Sequence, residues 1–248
     1  MNNPFTLEGK KIMITGAASG IGRSVAVEAS NLGATLILVD LNEERMRETI
    51  SLMSDGNHQI ITADLTESEK LEQIAGQIDS LDGLVNCAGV GLTLPFKFCG
   101  EEELKRVMAI NFYAPVLLTQ TMIKRKKINK NASIVYMASI DGTVTGHIGN
   151  SIYSATKGAI LGSVRSQALE LIPRGIRVNC VSPARVNTPL LKRDNISEEQ
   201  VKANMQLYPM KRYANPEEIA FYIIYLLSDT STYTTGSNLV IDGGFTIL

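Results

Sequence analysis

The sequence predicts an α/β protein built on a doubly wound parallel sheet of seven strands, with helices on both faces, in one domain spanning residues 1–248. Three observations predict it. Short runs rich in Ile and Val recur along the chain, and several are apolar throughout rather than alternating, as strands covered on both faces are. Amphipathic segments of helical period separate them, and that alternation builds a parallel sheet. A glycine-rich turn joins the first run to the first amphipathic segment.

Taken in order, KKIMITG (10–16) is the first strand and TGAASGIG (15–22) turns it into a helix near 20–32. ATLILVD (34–40) follows, ending on a carboxylate, and a helix near 43–54 leads to HQIITAD (58–64). The pattern at 66–79 brings the chain back to DGLVNCAG (82–89). A long amphipathic stretch, 101–127, reads as one helix before ASIVYMAS (132–139). The helix at 152–172 precedes IRVNCVSP (176–183), and the helix at 215–228 precedes GSNLVIDGG (236–244). The irregular stretch 184–214 lies between the last two strands, on the side where open sheets bind ligands, and reads as a substrate lid with short helices of its own.

Composition narrows the possibilities. The apolar share of 44% is that of a globular protein, and a formal charge of −1 gives no reason to expect nucleic acid or an anionic membrane as partner. Cys87, Cys99 and Cys180 stand far apart and suit a reducing compartment, while His58 and His147 are too isolated to predict a metal site. The N-terminus lacks a basic lead followed by an apolar stretch, and the longest apolar run, IAFYIIYLL (219–227), is too short to span a bilayer. The expectation is a soluble, cytoplasmic protein acting on a small molecule.

In the turn, Gly16, Gly20 and Gly22 permit a tight bend and a close backbone approach. The helix N-terminus beyond presents free N–H groups and a positive dipole end, which suit a pyrophosphate. Strand, glycine turn and helix together are the Rossmann arrangement. Asp40 lies 18 residues beyond Gly22, where a carboxylate bonds both ribose hydroxyls of NAD and repels a 2′-phosphate. Ala17, Ala18, Ser19, Leu41 and Asn42 offer no offsetting charge, so NAD is expected over NADP.

YSATK (153–157) places Tyr153 and Lys157 one helical turn apart on one face. Alone, such a pair is an ordinary amphipathic face. An ammonium beside a phenol favours the phenolate, however, and Ser139 ends a strand at the carboxyl edge where a hydroxyl can bond a substrate oxygen. The pair is therefore expected to move a proton, with the lysine lowering the tyrosine pKa.

With these residues in view the chain resembles the short-chain dehydrogenase/reductase family in its compact single-domain branch, over essentially its whole length. The family's TGxxxGxG appears as Thr15 to Gly22, its adenine-site Asp as Asp64 followed by Leu65, and its NNAG turn as Asn86-Cys87-Ala88-Gly89. Its helix asparagine appears as Asn111, and its catalytic trio as Ser139, Tyr153 and Lys157. The resemblance implies Tyr153 as general acid/base and Ser139 as the group that polarises the substrate oxygen. It also implies that Lys157 lowers the tyrosine pKa and holds the nicotinamide ribose, and that Asn111 holds a proton-relay water through its backbone. Cofactor contacts are implied at Thr15, Gly16, Ser19, Gly20, Ile21, Gly22, Asp40, Asp64, Leu65, Asn86, Ala88 and Gly89. The segment Pro183, Val186 and Thr188 is implied for the carboxamide.

Departures from the family pattern carry expectations too. Ala184 stands where the family has glycine and predicts an altered or slightly strained backbone. Cys87 replaces the second asparagine of NNAG, and one extra residue between Ser139 and Tyr153 predicts a bulged loop. The substrate is expected among loops 90–100, 140–150 and the lid, in a partly apolar pocket formed by Leu92, Leu94, Phe96 and lid leucines. His147 reads first as a loop histidine facing solvent and second as a substrate contact, and Cys99 as a loop thiol. KRKKINK (124–130) reads as a helix C-terminus whose cations offset the dipole, with a carrier-docking patch as alternative. The 152–172 helix is apolar around more of its circumference than a surface helix needs, which with the resemblance predicts a homo-oligomer, a tetramer. The expected activity is NAD(H)-linked interconversion of a secondary alcohol and its ketone. Reduction of a 3-oxoacyl thioester is the alternative, and a non-catalytic dinucleotide-binding protein a further one.

Overall fold

The structure is a computed structural model, and it describes residues 3–189 and 197–248. The described strands are β1 (Lys11–Thr15), β2 (Thr35–Asp40), β3 (Gln59–Thr62), β4 (Leu81–Asn86), β5 (Ile128–Met137), β6 (Arg177–Pro183) and β7 (Asn238–Ile241). All pair in parallel, in the order β3-β2-β1-β4-β5-β6-β7, which confirms the seven-stranded doubly wound sheet. The winding reverses between β1 and β4, so a crevice opens above their carboxyl ends, where open sheets take ligands.

The helices are α1 (Gly20–Asn31), α2 (Glu43–Ser51), α3 (Ser68–Gly76), α4 (Glu101–Met108), α5 (Ala114–Lys124), α6 (Ser151–Leu171), α7 (Glu198–Met205) and α8 (Pro216–Leu227). They pack against two faces that the strands supply by strict alternation. Ile12, Ile14, Leu36 and Leu38 join Val25 of α1 and Ile219 and Ile223 of α8 in one core. Met13, Ile37, Val39, Ile134 and Tyr136 join Leu118 of α5 and Ile160 and Val164 of α6 in the other. Successive strand side chains point to opposite faces, so a run apolar throughout feeds both cores.

Two elements differ from the sequence reading. The stretch 101–127 is two helices, because a π turn at Ala109–Tyr113 inserts one residue between α4 and α5. Strand β5 begins at Ile128, four residues before the apolar run that predicts it. Its polar start includes Asn131 at φ 64°, a conformation that reads as a loop. KRKKINK therefore closes α5, with Lys124 in its last turn and Arg125 as its C-cap, and continues through a turn into β5. Within it Arg125 pairs with Glu72 at 2.7 Å, and Lys127 donates to the Ile78 carbonyl at 2.6 Å. None of the described helices is long and apolar enough to cross a membrane.

Candidate active site

A cavity of about 720 Å³ opens above the carboxyl ends of the strands, a size that suits a small-molecule site. At one end the glycine turn shapes it. Gly16 has φ +70°, and a Cβ there would lie 2.8 Å from the backbone nitrogen of Ala88, so only glycine lets β1 and β4 approach this closely. Ser19 caps α1 without a side-chain hydrogen bond, leaving first-turn N–H groups to the cavity, which Ser19, Gly20, Ile21 and Gly22 line. The turn, the uncapped helix and the cavity volume fit a dinucleotide.

Asp40, Asp64 and Leu65 line the same end. Asp40 accepts hydrogen bonds from Ala18 N at 3.1 Å and Asn42 N at 3.2 Å, so the carboxylate also fixes the turn beside it. Asp64 is held in an Asx turn by Thr66 N and Thr66 Oγ1. Arg23, which lies close by in sequence, is bound to the Ala18 carbonyl and to Glu48, and it does not line the cavity.

Two residues assigned to cofactor contact sit beneath the cavity instead. Thr15 is buried, and its hydroxyl accepts from Cys87 N and Ala88 N, both at 3.1 Å, pinning β1 to the end of β4. Asn86 is buried toward α5, donating to Thr119 Oγ1 at 3.1 Å. Ala88 and Gly89 do line the cavity, as do Pro183, Val186 and Thr188.

At the other end Ser139, Tyr153 and Lys157 converge. The Ser139 hydroxyl hydrogen-bonds the Tyr153 phenol and accepts from Asp141 N at 3.2 Å. Lys157 is buried with its Nζ 5.6 Å from the tyrosine ring centre and donates to the Met137 carbonyl at 2.8 Å. Burial pushes the ammonium down to about 8. Tyr153 meets the cavity, yet the dense surroundings push its phenol up to about 12, with Ser139 opposing and the Asp141 charge reinforcing. The expected lowering of the tyrosine pKa is therefore absent from this state. Desolvation outweighs the ammonium, which points at a carbonyl and is itself disfavoured as a cation. Asn111 sits in the π turn beneath. Its side chain accepts from Val90 N at 2.8 Å, and donates to Val90 O at 2.9 Å and Thr156 Oγ1 at 3.3 Å.

Beyond Tyr153 the cavity is lined by groups that the sequence reading missed or misjudged. Asp141, Arg106, Arg185 and Tyr208 carry no motif, so only the fold brings them in. His147 is not a free loop histidine. Its Nδ1 is 2.5 Å from Asp141 Oδ1 and its ring stacks on Phe245 at 5.5 Å, although 36% of the side chain remains exposed. Leu92 lines the cavity as expected, whereas Leu94, Phe96 and the exposed lid residue Leu207 do not, and the lid leucines Leu190 and Leu191 lie outside the described residues. Cys99 is a loop thiol near the Leu94 carbonyl. Among the described residues no group of three or more His, Cys, Asp or Glu could hold a metal ion.

Comparison with known proteins assigns this geometry to a family. The model described as Enoyl-(Acyl carrier protein) reductase matches residues 16–246. Dehydrogenase/reductase SDR family member 6 of Rattus norvegicus is 35% identical over 246 residues, covering 97% of this chain and 99% of the relative. The chain belongs to the short-chain dehydrogenase/reductase family. The 3-oxoacyl-[acyl-carrier-protein] reductase FabG of Rickettsia bellii is 34% identical, covering 96% of this chain and 97% of its own. Among solved structures, a short-chain dehydrogenase/reductase from Brucella melitensis, described as glucose/ribitol dehydrogenase, superposes with a TM-score of 0.90 at 30% identity. It covers 98% of this chain and 99% of its own.

Within this short-chain dehydrogenase/reductase the departures from the family pattern are accommodated. Ala184 lies outside the left-handed region and donates its N–H to the Ile241 carbonyl at 3.0 Å, so the expected strain is absent. Burial raises the Cys87 thiol to about 12, which makes it an unreactive wall of the cavity. The extra residue after Ser139 is taken up in a tight turn rather than a loose bulge. Thr143, Val144 and Thr145 all donate to the Ile140 carbonyl, and Gly142, at φ +82°, packs on the Ser154 carbonyl.

Proposed function

We propose that this short-chain dehydrogenase/reductase interconverts a secondary alcohol and its ketone using NAD(H), with Tyr153 as general acid/base. The observation that carries the reading is the convergence of Ser139, Tyr153 and Lys157 in the cavity that the glycine turn opens. The dinucleotide, when bound, supplies or accepts the hydride. The chain's own residues manage the oxygen and its proton. Ser139 bonds the substrate oxygen, and Tyr153 gives it a proton in reduction or removes one in oxidation. Lys157 fixes the far side of the tyrosine, and Asn111 in the π turn connects that end toward solvent. Gly16, Ser19, Gly20, Ile21 and Gly22 would cradle the pyrophosphate. Asp64, Leu65, Ala88 and Gly89 would flank the adenosine half, and Pro183, Val186 and Thr188 the nicotinamide. Asp40 favours NAD over NADP by repelling a 2′-phosphate.

A thioester substrate would use the same groups, and one relative is named for that reaction. The basic cluster gives no support for carrier docking. It lies at the amino end of β5 whereas Ser139 follows the carboxyl end, roughly 30 Å away along a ten-residue strand. Self-association is part of the proposal, with a tetramer favoured. Leu104, Tyr113 and Leu117 on α4, the π turn and α5, and Phe221 and Tyr222 on α8, leave apolar surface exposed. The proposal places the protein in the cytoplasm.

The test is NADH formation over a panel of secondary alcohols, with NAD and NADP run side by side, for the native protein and Tyr153→Phe. The variant is expected to bind NADH within a few-fold of native in calorimetry and to lose roughly 10²- to 10⁴-fold in kcat. Retained turnover would reject Tyr153 as the acid/base.

A further inference from the structure

Near Ser139 and Tyr153, the His147 Nε2 stands at the cavity wall with no hydrogen bond to a described residue. Asp141 is buried, and its two oxygens are taken by His147 Nδ1 at 2.5 Å and Asn150 Nδ2 at 2.6 Å. With its Nδ1 engaged by Asp141, the imidazole in its Nδ1–H tautomer offers Nε2 as an acceptor. The ring is fixed from both sides, by the Asp141 carboxylate and by the face of Phe245 from the C-terminal turn. That turn is itself secured, because Phe245 stacks on the buried Tyr208 at 4.7 Å and Asp242 accepts from Gly244 N and Thr246 N. A solvated loop histidine has no need of two such supports, and His147 lines the same cavity as Tyr153.

We propose that His147 determines substrate choice, its Nε2 accepting a hydrogen bond from a second hydroxyl of the substrate, so that polyols and α-hydroxyketones are preferred over simple alcohols and ketones. The inference rests on the reading that Ser139 and Tyr153 handle the reacting oxygen. Asp141 sets the distance scale. Its carboxylate holds His147, and its backbone N–H donates to Ser139 Oγ, so the second hydroxyl belongs on the same small substrate as the reacting one. A substrate carboxylate would call on Arg106 and Arg185, which line the same cavity, and not on an accepting Nε2, so acetoacetate separates the two recognitions. Phe245 is a positioning residue in this scheme.

Binding is read on the complex of Tyr153→Phe with NADH, where ketones bind without turning over. Calorimetry compares 3-hydroxybutan-2-one, butan-2-one and acetoacetate. One added hydrogen bond of ordinary strength predicts that the hydroxyketone binds roughly 3- to 10-fold more tightly than the plain ketone. Adding His147→Phe should bring that ratio to about one. Phe245→Leu, which keeps the imidazole but removes its support, should lower the ratio partway, whereas a merely structural role would weaken all three ligands equally. A native-loop ratio near one, a ratio that survives His147→Phe, or tighter binding of acetoacetate would each overturn the proposal. Turnover is measured separately with Tyr153 intact, on butane-2,3-diol and butan-2-ol. Silence on both with the binding ratio present would reject the dehydrogenase reading while leaving the His147 subsite standing.

Discussion

Replacing Lys157 by methionine should make the protein more stable while it loses turnover. Lys157 is 4% exposed, and its pKa falls from 10.5 to about 8 because burial disfavours the charge. At about 1.4 kcal/mol per pH unit, that fall means the charged lysine costs about 3.5 kcal/mol in the folded protein at pH 7. Methionine keeps the length and apolar stem but loses the hydrogen bond to Met137 O, which returns about 1.5 kcal/mol. The net gain of about 2 kcal/mol should raise Tm by roughly 4–8 °C for a chain of this size. The sign with pH is fixed by the direction of the shift. Below pH 8 both states hold the proton and the cost is complete. Between pH 8 and 10.5 the folded state gives up its proton first, so native stability climbs relative to the variant. Thermal melts of both proteins from pH 7 to 10.5 should therefore show the gap closing as pH rises. A variant no more stable than native at pH 7, or a gap that ignores pH, would refute the argument that this ammonium is held against its solvation.

Gly22→Ala should abolish cofactor binding and lower stability, since a Cβ there meets the Gly16 carbonyl across the turn; tight NADH binding by the variant would show that the turn can open. Asp40→Ala should narrow the NADH-to-NADPH affinity ratio at least several-fold in calorimetry, and an unchanged ratio would remove Asp40 from cofactor choice. With its phenol at about 12, the free enzyme holds Tyr153 protonated at neutral pH, so alcohol oxidation, which needs the base form, should accelerate as pH rises. A pH–rate profile of kcat/KM falling toward alkaline pH would contradict that assignment. Neutralising Lys126 and Lys127 should leave KM for carrier-bound and free substrates alike, because the cluster is remote from the cavity; a rise for the carrier-bound form alone would restore the docking reading.

What could be read from the chain was whatever local composition decides. The runs KKIMITG and ATLILVD became β1 and β2 because two-sided burial favours apolar residues along a strand, while IRVNCVSP became β6 on its valines with Arg177, Asn179 and Ser182 buried and hydrogen-bonded. The glycines of the first turn announced a backbone approach that Gly16 and Ala88 make. Where through-space neighbours decide, the pattern was silent or misleading. Thr15 and Asn86 belong to the motif, but what they touch depends on how β1 meets β4 and how β4 faces α5. The Tyr153–Lys157 spacing places two groups together without revealing that burial dominates both. His147 gains its partners only when residues 141, 147 and 245 meet in three dimensions. The π turn escaped because a single inserted residue barely disturbs an amphipathic period.

That inserted residue constrains how the protein can vary in length. A π turn is a count, not a composition, and Asn111 fastens it with paired bonds to Val90. Deleting one residue from 109–113 would restore a continuous α-helix and swing α4 by about 100° around its axis relative to α5. Buried Val107 would then leave its packing, and the triple glutamate start of α4 would turn with it. No single substitution undoes such a rotation, so insertions and deletions that are tolerated between residues 101 and 124 must come in compensating pairs.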